Sequence, residues 1–129
     1  MNFLLDTHVL LWSAGQPEKL TGQARAWLED DNNVLIFSAA SLWEITIKSG
    51  LGRDDFQVDP HVLRRGLLDN GYEELRISSQ HAVAVAGLPA LHKDPFDRLL
   101  IAQATLEGIT LLTADSQILQ YPGPIQSVS

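Results

Sequence analysis

Cysteine is absent from the 129 residues, which excludes a disulfide framework and any thiolate-bound metal. Long apolar runs are missing as well. The most apolar stretch, "AVAVAGLPAL" at 82–91, is too short for a bilayer span and is broken by Gly87 and Pro89. The chain opens "MNFLLDTH", with no basic leader ahead of an apolar segment, so a cytoplasmic protein without a signal peptide is expected, with no membrane partner. Basic residues are scarce. Nine Lys and Arg stand against sixteen Asp and Glu, a net charge of −7. The overall basic surface of a sequence-reading DNA module is therefore lacking. A cluster of acids that takes up divalent cations would reverse the sign locally, so the acidity does not exclude a phosphate-bearing substrate. Several motifs are missing too. No GxGxxG follows the first apolar run, and there is no Walker loop and no GxSxG elbow. His8, His61, His81 and His92 show neither HExxH nor paired spacing, which argues against a zinc site.

What is there is globular in kind. The chain is 45% hydrophobic and 19% charged, enough to bury a core, and its length suits one domain over residues 1–129. Short apolar runs at 2–5 ("NFLL"), 34–37 ("VLIF"), 73–78 ("EELRIS") and 109–115 ("ITLLTAD") read as strands, and "PIQSV" as an edge strand. Helical spacing covers 7–14, 20–30, 39–50, 60–71, 79–88 and 95–107, with a short helix in "SQILQYPG". Thr21, Ser38, Asp59 with Pro60, Ser78 or Ser79, and Asp94 with Pro95 are start signals, while Gly50, Asn70-Gly71 and Gly108 are stops. Residues 51–59 read as loop. The alternation predicts an α/β fold with a mainly parallel sheet and helices on both faces.

Ligands of such sheets bind at the carboxyl ends of the strands, at a switch in strand order. Asp6 ends the first strand and Asp115 the fourth; Glu44 lies two turns into the helix after the second, and Asp97 opens the helix before the fourth. All four carboxylates therefore point to one rim. Four converging acids repel, so such a site raises pKa values or binds a cation. Oxygen ligands favour Mg²⁺ or Mn²⁺, and such an ion suits phosphodiester hydrolysis. Each acid also has a plain reading. Asp6 is a strand-end turn acid, Glu44 pairs with Lys48 one helical turn on, and Asp94 and Asp115 cap helices. Lys48, Arg53, Lys93 and Arg98 lie near the same rim and are candidates for contact with a phosphate backbone, or are simply solvated. Trp12, Trp27 and Trp43 are candidates for the core or for an interface.

Taken together, "LLDTHVLLW", "SAASLWEITIKSGLGR", "HKDPFDRLLIAQA" and "LLTAD" resemble the PIN domain, in its VapC-like toxin branch. The resemblance covers nearly the whole chain, with the motifs in the family's order. It implies a three-layer α/β/α fold and a ribonuclease that uses Mg²⁺ or Mn²⁺. Carried over by position, Asp6, Glu44, Asp97 and Asp115 form the catalytic and metal-binding quartet, with Asp6 and Asp97 as direct ligands. Asp94 then serves as a cap. Thr7 and Thr113, and also Ser38, look like the polar neighbours that orient such carboxylates. The resemblance further implies RNA as substrate, a cognate antitoxin that restrains the toxin, and a homodimer. Two other readings remain. One is a non-catalytic module whose acids bind a structural cation or cap helices. The other is a phosphatase with Asp6 as nucleophile, although the second aspartate wanted two residues on is replaced by His8.

Overall fold

The computed structural model describes residues 1–54 and 56–128. The three central strands of its sheet are short runs whose side chains are mostly apolar on both faces, as a doubly covered strand requires, while the edge strands carry polar residues. The strands are β1 (Asn2–Leu5), β2 (Val34–Ser38), β3 (Glu73–Leu75), β4 (Thr110–Thr113) and β5 (Ile125–Ser127). They lie in the order β3-β2-β1-β4-β5, and every pair is parallel. Central β1 sets Leu4 opposite both Ile36 and Leu111, and Leu5 opposite Leu112. The expected parallel sheet is thus present.

Strand alternation divides the core in two. Phe3, Leu5, Phe37 and Leu112 point to one face, where α1 (Thr7–Gly15), α2 (Gly22–Glu29) and α4 (Pro60–Asp69) bring Val9, Leu10, Ala24 and Leu67. Leu4, Ile36 and Leu111 point to the other, covered by Ala40 of α3 (Ala39–Ser49) and by Leu100, Ile101 and Ala104 of α6 (Pro95–Glu107). Each such leucine taken fully from water contributes about 1.5–3 kcal/mol. The result is helix, sheet, helix in three layers. The short α5 (Ser79–Ala84) is tied to α6 by a 2.9 Å contact between His81 and Glu107.

All six α-helices among the described residues begin on a side chain that accepts a backbone N–H. Thr21, Ser38, Asp59, Ser78 and Asp94 do so where expected, and Asp6 does so as well, at the start of α1. Several boundaries differ from the sequence reading. β3 stops at Leu75 rather than 78, because Ser78 turns to cap α5. α5 ends at Ala84, with one 3₁₀ turn at Val85–Gly87 replacing the rest of the expected helix. Residues 116–123 hold a single 3₁₀ turn, Ile118–Gln120. Gly50 ends α3 in right-handed conformation, at φ −74°, so its lack of a side chain is not what stops the helix. Residue 55 of the expected loop lies outside the described residues. Among the described residues no helix is long and apolar enough to cross a membrane.

The chain adds β2 and β3 on one side of β1 and then crosses to add β4 and β5 on the other. The switch in strand order therefore falls between β1 and β4. Asp6 follows one of these strands and Asp115 lies just past the other.

Two glycines give a test of the backbone. Gly108 ends α6 at φ +67°, in the left-handed region, with nothing near the position of a Cβ. Gly66 sits within α4, also with nothing within 4 Å of a Cβ. Gly108→Ala is expected to cost about 1–2 kcal/mol, from backbone strain alone. Gly66→Ala is expected to stabilise by about 0.5–1 kcal/mol. Urea unfolding midpoints of the two variants should move in opposite directions; a common direction would contradict these backbone assignments.

Candidate active site

Asp6 follows β1 directly, so the end of the strand and the start of α1 share one residue. Its Oδ1 accepts the Val9 N–H at 2.8 Å, and its Oδ2 accepts the Thr113 hydroxyl across the switch point. The side chain is enclosed, with the residue 2% exposed. Burial raises its pKa, against the pull of the Thr113 and Val9 hydrogen bonds and of His8; Asp115 adds to the rise. Thr113 also accepts the Asp115 N–H at 3.0 Å, so one buried hydroxyl serves the ends of both strands.

Asp115 accepts the Gln117 and Ile118 N–H groups at 2.7 and 3.3 Å, so it caps the 3₁₀ turn that follows. Glu44 is buried, with Oε1 receiving the Thr7 hydroxyl at 2.8 Å and Oε2 receiving Lys48 Nζ at 2.8 Å. Ser41 stands 3.0 Å from the same threonine oxygen. The threonines thus hold carboxylates as expected. Ser38 does not: its hydroxyl bonds Gln103 Oε1 at 2.6 Å and caps α3.

Asp97 lies in the first turn of α6. Asp94 caps that helix through the N–H groups of Phe96 and Asp97, at 2.8 and 3.0 Å. Asp97 Oδ2 is 2.8 Å from His92 Nε2, and both side chains are 14% exposed. Burial is the main force that pushes Asp97 up to about 6; His92 opposes it, while Asp94, Glu44 and Asp6 add repulsion. The predicted acids therefore act on one another: Asp97 feels Glu44 and Asp6, and Asp6 feels Asp115. The tightest group is a different one. Among the described residues, His92, Asp94 and Asp97 are the set whose potential ligand atoms all lie within 4.8 Å of one another.

His92 was not legible as a site residue, because no spacing rule picks out a lone histidine five positions before an aspartate. Arg98 is not turned to solvent as a phosphate contact would be. Its guanidinium donates to Pro89 O at 2.9 Å, Val85 O at 3.1 Å and Tyr121 Oη at 3.1 Å, so it secures the loop that carries His92. Lys48 is drawn to Glu44, while Lys93 and Arg53 are exposed. Among the tryptophans, Trp27 stacks on Phe3 at 5.7 Å, Trp12 is half-buried beneath Lys19, and Trp43 is 58% exposed.

The donor set suits a divalent cation. Two carboxylates, Asp6 and Asp97, are held in surroundings that disfavour their charge, and among the described residues neither has a Lys or Arg in an ion pair with it. Oxygen donors with one imidazole nearby fit Mg²⁺, Mn²⁺ or a related ion.

Comparison with known proteins agrees with the architecture. The PIN domain family model matches residues 3–124. No curated protein matches. Among solved structures, the chain is similar in fold to a chain of VapBC2 from Rickettsia felis, bound to a DNA fragment from their promoter, with TM-score 0.75, 17% identity and full coverage of both chains. It is similar to DNA-bound VapBC from Salmonella typhimurium, with TM-score 0.69, 15% identity and coverage of 100% and 99%. A toxin–antitoxin complex from Klebsiella pneumoniae gives TM-score 0.64, 20% identity and coverage of 98% and 97%. Since the family model spans residues 3–124, nearly the whole chain, and the parallel five-stranded sheet agrees with it, the chain belongs to the PIN domain family.

Proposed function

We propose that this chain is a metal-dependent endoribonuclease and the toxin of a toxin–antitoxin pair, acting in the cytoplasm as one domain. The observation that carries the reading is a pair of carboxylates that burial raises, Asp6, buried at the switch point of a PIN-family sheet, and Asp97, half-buried in the first turn of α6. Asp6 and Asp97 would hold Mg²⁺ or Mn²⁺, with Glu44 and Asp115 completing the acidic rim. The bound cation would offset the charge of the scissile phosphate and favour in-line attack by water. Thr113 and the Val9 N–H fix Asp6, and Thr7 and Lys48 fix Glu44, so the acids are set before substrate arrives. The products would be 5′-phosphate and 3′-hydroxyl ends.

An antitoxin partner is supported by the similar folds, which come from toxin–antitoxin complexes. A homodimer is supported by Trp43 and Ile47, apolar, exposed and one turn apart on α3. One competing reading has observations of its own. Glu44 pairs with Lys48, and Asp94 and Asp115 cap, so those three acids already have structural duties. If they have no other, the chain is a binding module that cuts nothing. A phosphatase reading fits less well, because His8 stands where the second aspartate is wanted.

Purified protein should cleave single-stranded RNA with Mn²⁺ or Mg²⁺ and stop when EDTA is added. Asp97→Asn keeps the size of the side chain and removes a ligand worth several kcal/mol of charge stabilisation. Cleavage should therefore fall about a hundredfold or more. A folded Asp97→Asn protein that cuts RNA at the native rate would overturn the assignment.

The raised pKa of Asp97 gives a second expectation. A carboxyl that binds its proton more tightly when folded favours the native state at low pH. That contribution is lost as pH rises through about 6. Without metal, Asp97→Asn should raise the melting temperature at pH 8 by more than at pH 5. Mn²⁺ should stabilise the native protein more at pH 8 than at pH 5, where protons compete for the carboxylate. Calorimetry at the two pH values checks both; a pH-independent difference would mean that Asp97 is an ordinary surface acid.

A further inference from the structure

We propose that His92 supplies a nitrogen ligand to the divalent ion held by Asp97, so that the site prefers first-row transition ions to Mg²⁺. This inference rests on the reading of Asp97 as a metal ligand and deepens it. It starts from a distance. His92 Nε2 stands 2.8 Å from Asp97 Oδ2. Two ligands at right angles, each about 2.1 Å from one ion, stand about 3.0 Å apart. The contact is that of a hydrogen bond between imidazole and carboxylate, and an ion bound by both would take the place of its proton with the two groups at nearly their present separation. Asp94 closes the group, with all three potential ligand atoms within 4.8 Å of one another, and its Oδ1 is the oxygen committed to the cap.

The second ground is rigidity. A ligand on a loop needs its backbone fixed. The His92 N–H donates to the Tyr121 hydroxyl at 2.8 Å, and the His92 carbonyl accepts from Arg98 at 3.4 Å. Arg98 bridges Pro89, Val85 and Tyr121, and Tyr121 is itself buried. Holding a half-buried imidazole in place this way goes beyond what capping α6 requires, since Asp94 does that alone. Asp97 is also the acid that the rest of the rim repels, so an ion at His92 would share a ligand with the rim.

The consequence is selectivity. Mg²⁺ takes oxygen and parts reluctantly with water, whereas Mn²⁺ and Co²⁺ accept imidazole. Pulsed electron paramagnetic resonance of the full-length protein with Mn²⁺ should show coupling to one ¹⁴N nucleus, and His92→Ala should remove it. Mn²⁺ and Co²⁺ affinity, measured by titration calorimetry, should fall about 10–100-fold in that variant. Mg²⁺ affinity should change by no more than about threefold. His92→Gln supplies an amide donor to Asp97 without the ring nitrogen, and should behave as His92→Ala does; it also guards against a misfolded alanine variant. Native Mn²⁺ affinity in His92→Gln, or equal losses for Mg²⁺ and Mn²⁺, would make His92 only a positioning residue for Asp97 and overturn the proposal. Mn²⁺ bound without nitrogen coupling would overturn it and leave the nuclease reading standing. Failure to bind Mn²⁺ at all would overturn both.

Discussion

A carboxylate sealed from water is costly unless hydrogen bonds or a cation compensate it, and Asp6 is the place where this fold accepts that cost. The Thr113 hydroxyl and the Val9 N–H each take one of its oxygens. Neither partner is incidental. Val9 lies in the first turn of the helix that Asp6 caps, and Thr113 is the last residue of the strand across the switch point. The same hydroxyl receives the Asp115 N–H, so β1, β4, the start of α1 and the turn after β4 meet at one threonine. Removing the hydroxyl would loosen the acid and the strand ends together. The compensation is incomplete, since burial still outweighs the two bonds and the carboxyl stays raised.

Sheet topology turns this local feature into a site. Because β4 enters beside β1 rather than beside β3, the carboxyl ends of two strands distant in sequence lie side by side at the switch in strand order. α3 leaves β2 with Glu44 two turns along, and α6 begins near the same rim with Asp97 in its first turn. Helix starts favour acids through the helix dipole and free N–H groups. Asp6 and Asp94 use that preference as caps. Asp97 is not a cap: it sits in a first turn already capped by Asp94, and burial raises it as burial raises Asp6.

Much of this was legible beforehand, and the reasons are local. Apolar runs bounded by caps located the strands, because a strand buried on both faces has no other composition available. Asp59-Pro60 and Asp94-Pro95 fixed the starts of α4 and α6, because proline at the first helical position and aspartate before it satisfy the same backbone constraint. What failed was decided by distant contacts. β3 is shorter than the segment 73–78 read as strand because Ser78 is used as a cap to α5. Ser38, beside an expected acid, instead bonds Gln103, 65 residues away. The identity of the acids could be read, but their partners could not, since Thr113 and Asp6 are 107 positions apart.

Arg98 shows the same limit from the other side. An arginine one position after a site aspartate reads as a hand for phosphate, and a net charge of −7 makes each cation near the rim look valuable. Its guanidinium is instead spent on three backbone carbonyls and a tyrosine hydroxyl. The planar fork is suited to that task, because several N–H groups in fixed directions can fasten one loop at several points. The site's positive charge must then come from elsewhere. Lys48 is already drawn to Glu44, and the close side-chain partners of Asp97 and Asp6 are His92 and the Thr113 hydroxyl, so a divalent cation is one counter-charge these acids could take. An acidic chain can in this way approach a polyanion without a basic surface, provided that the ion arrives first.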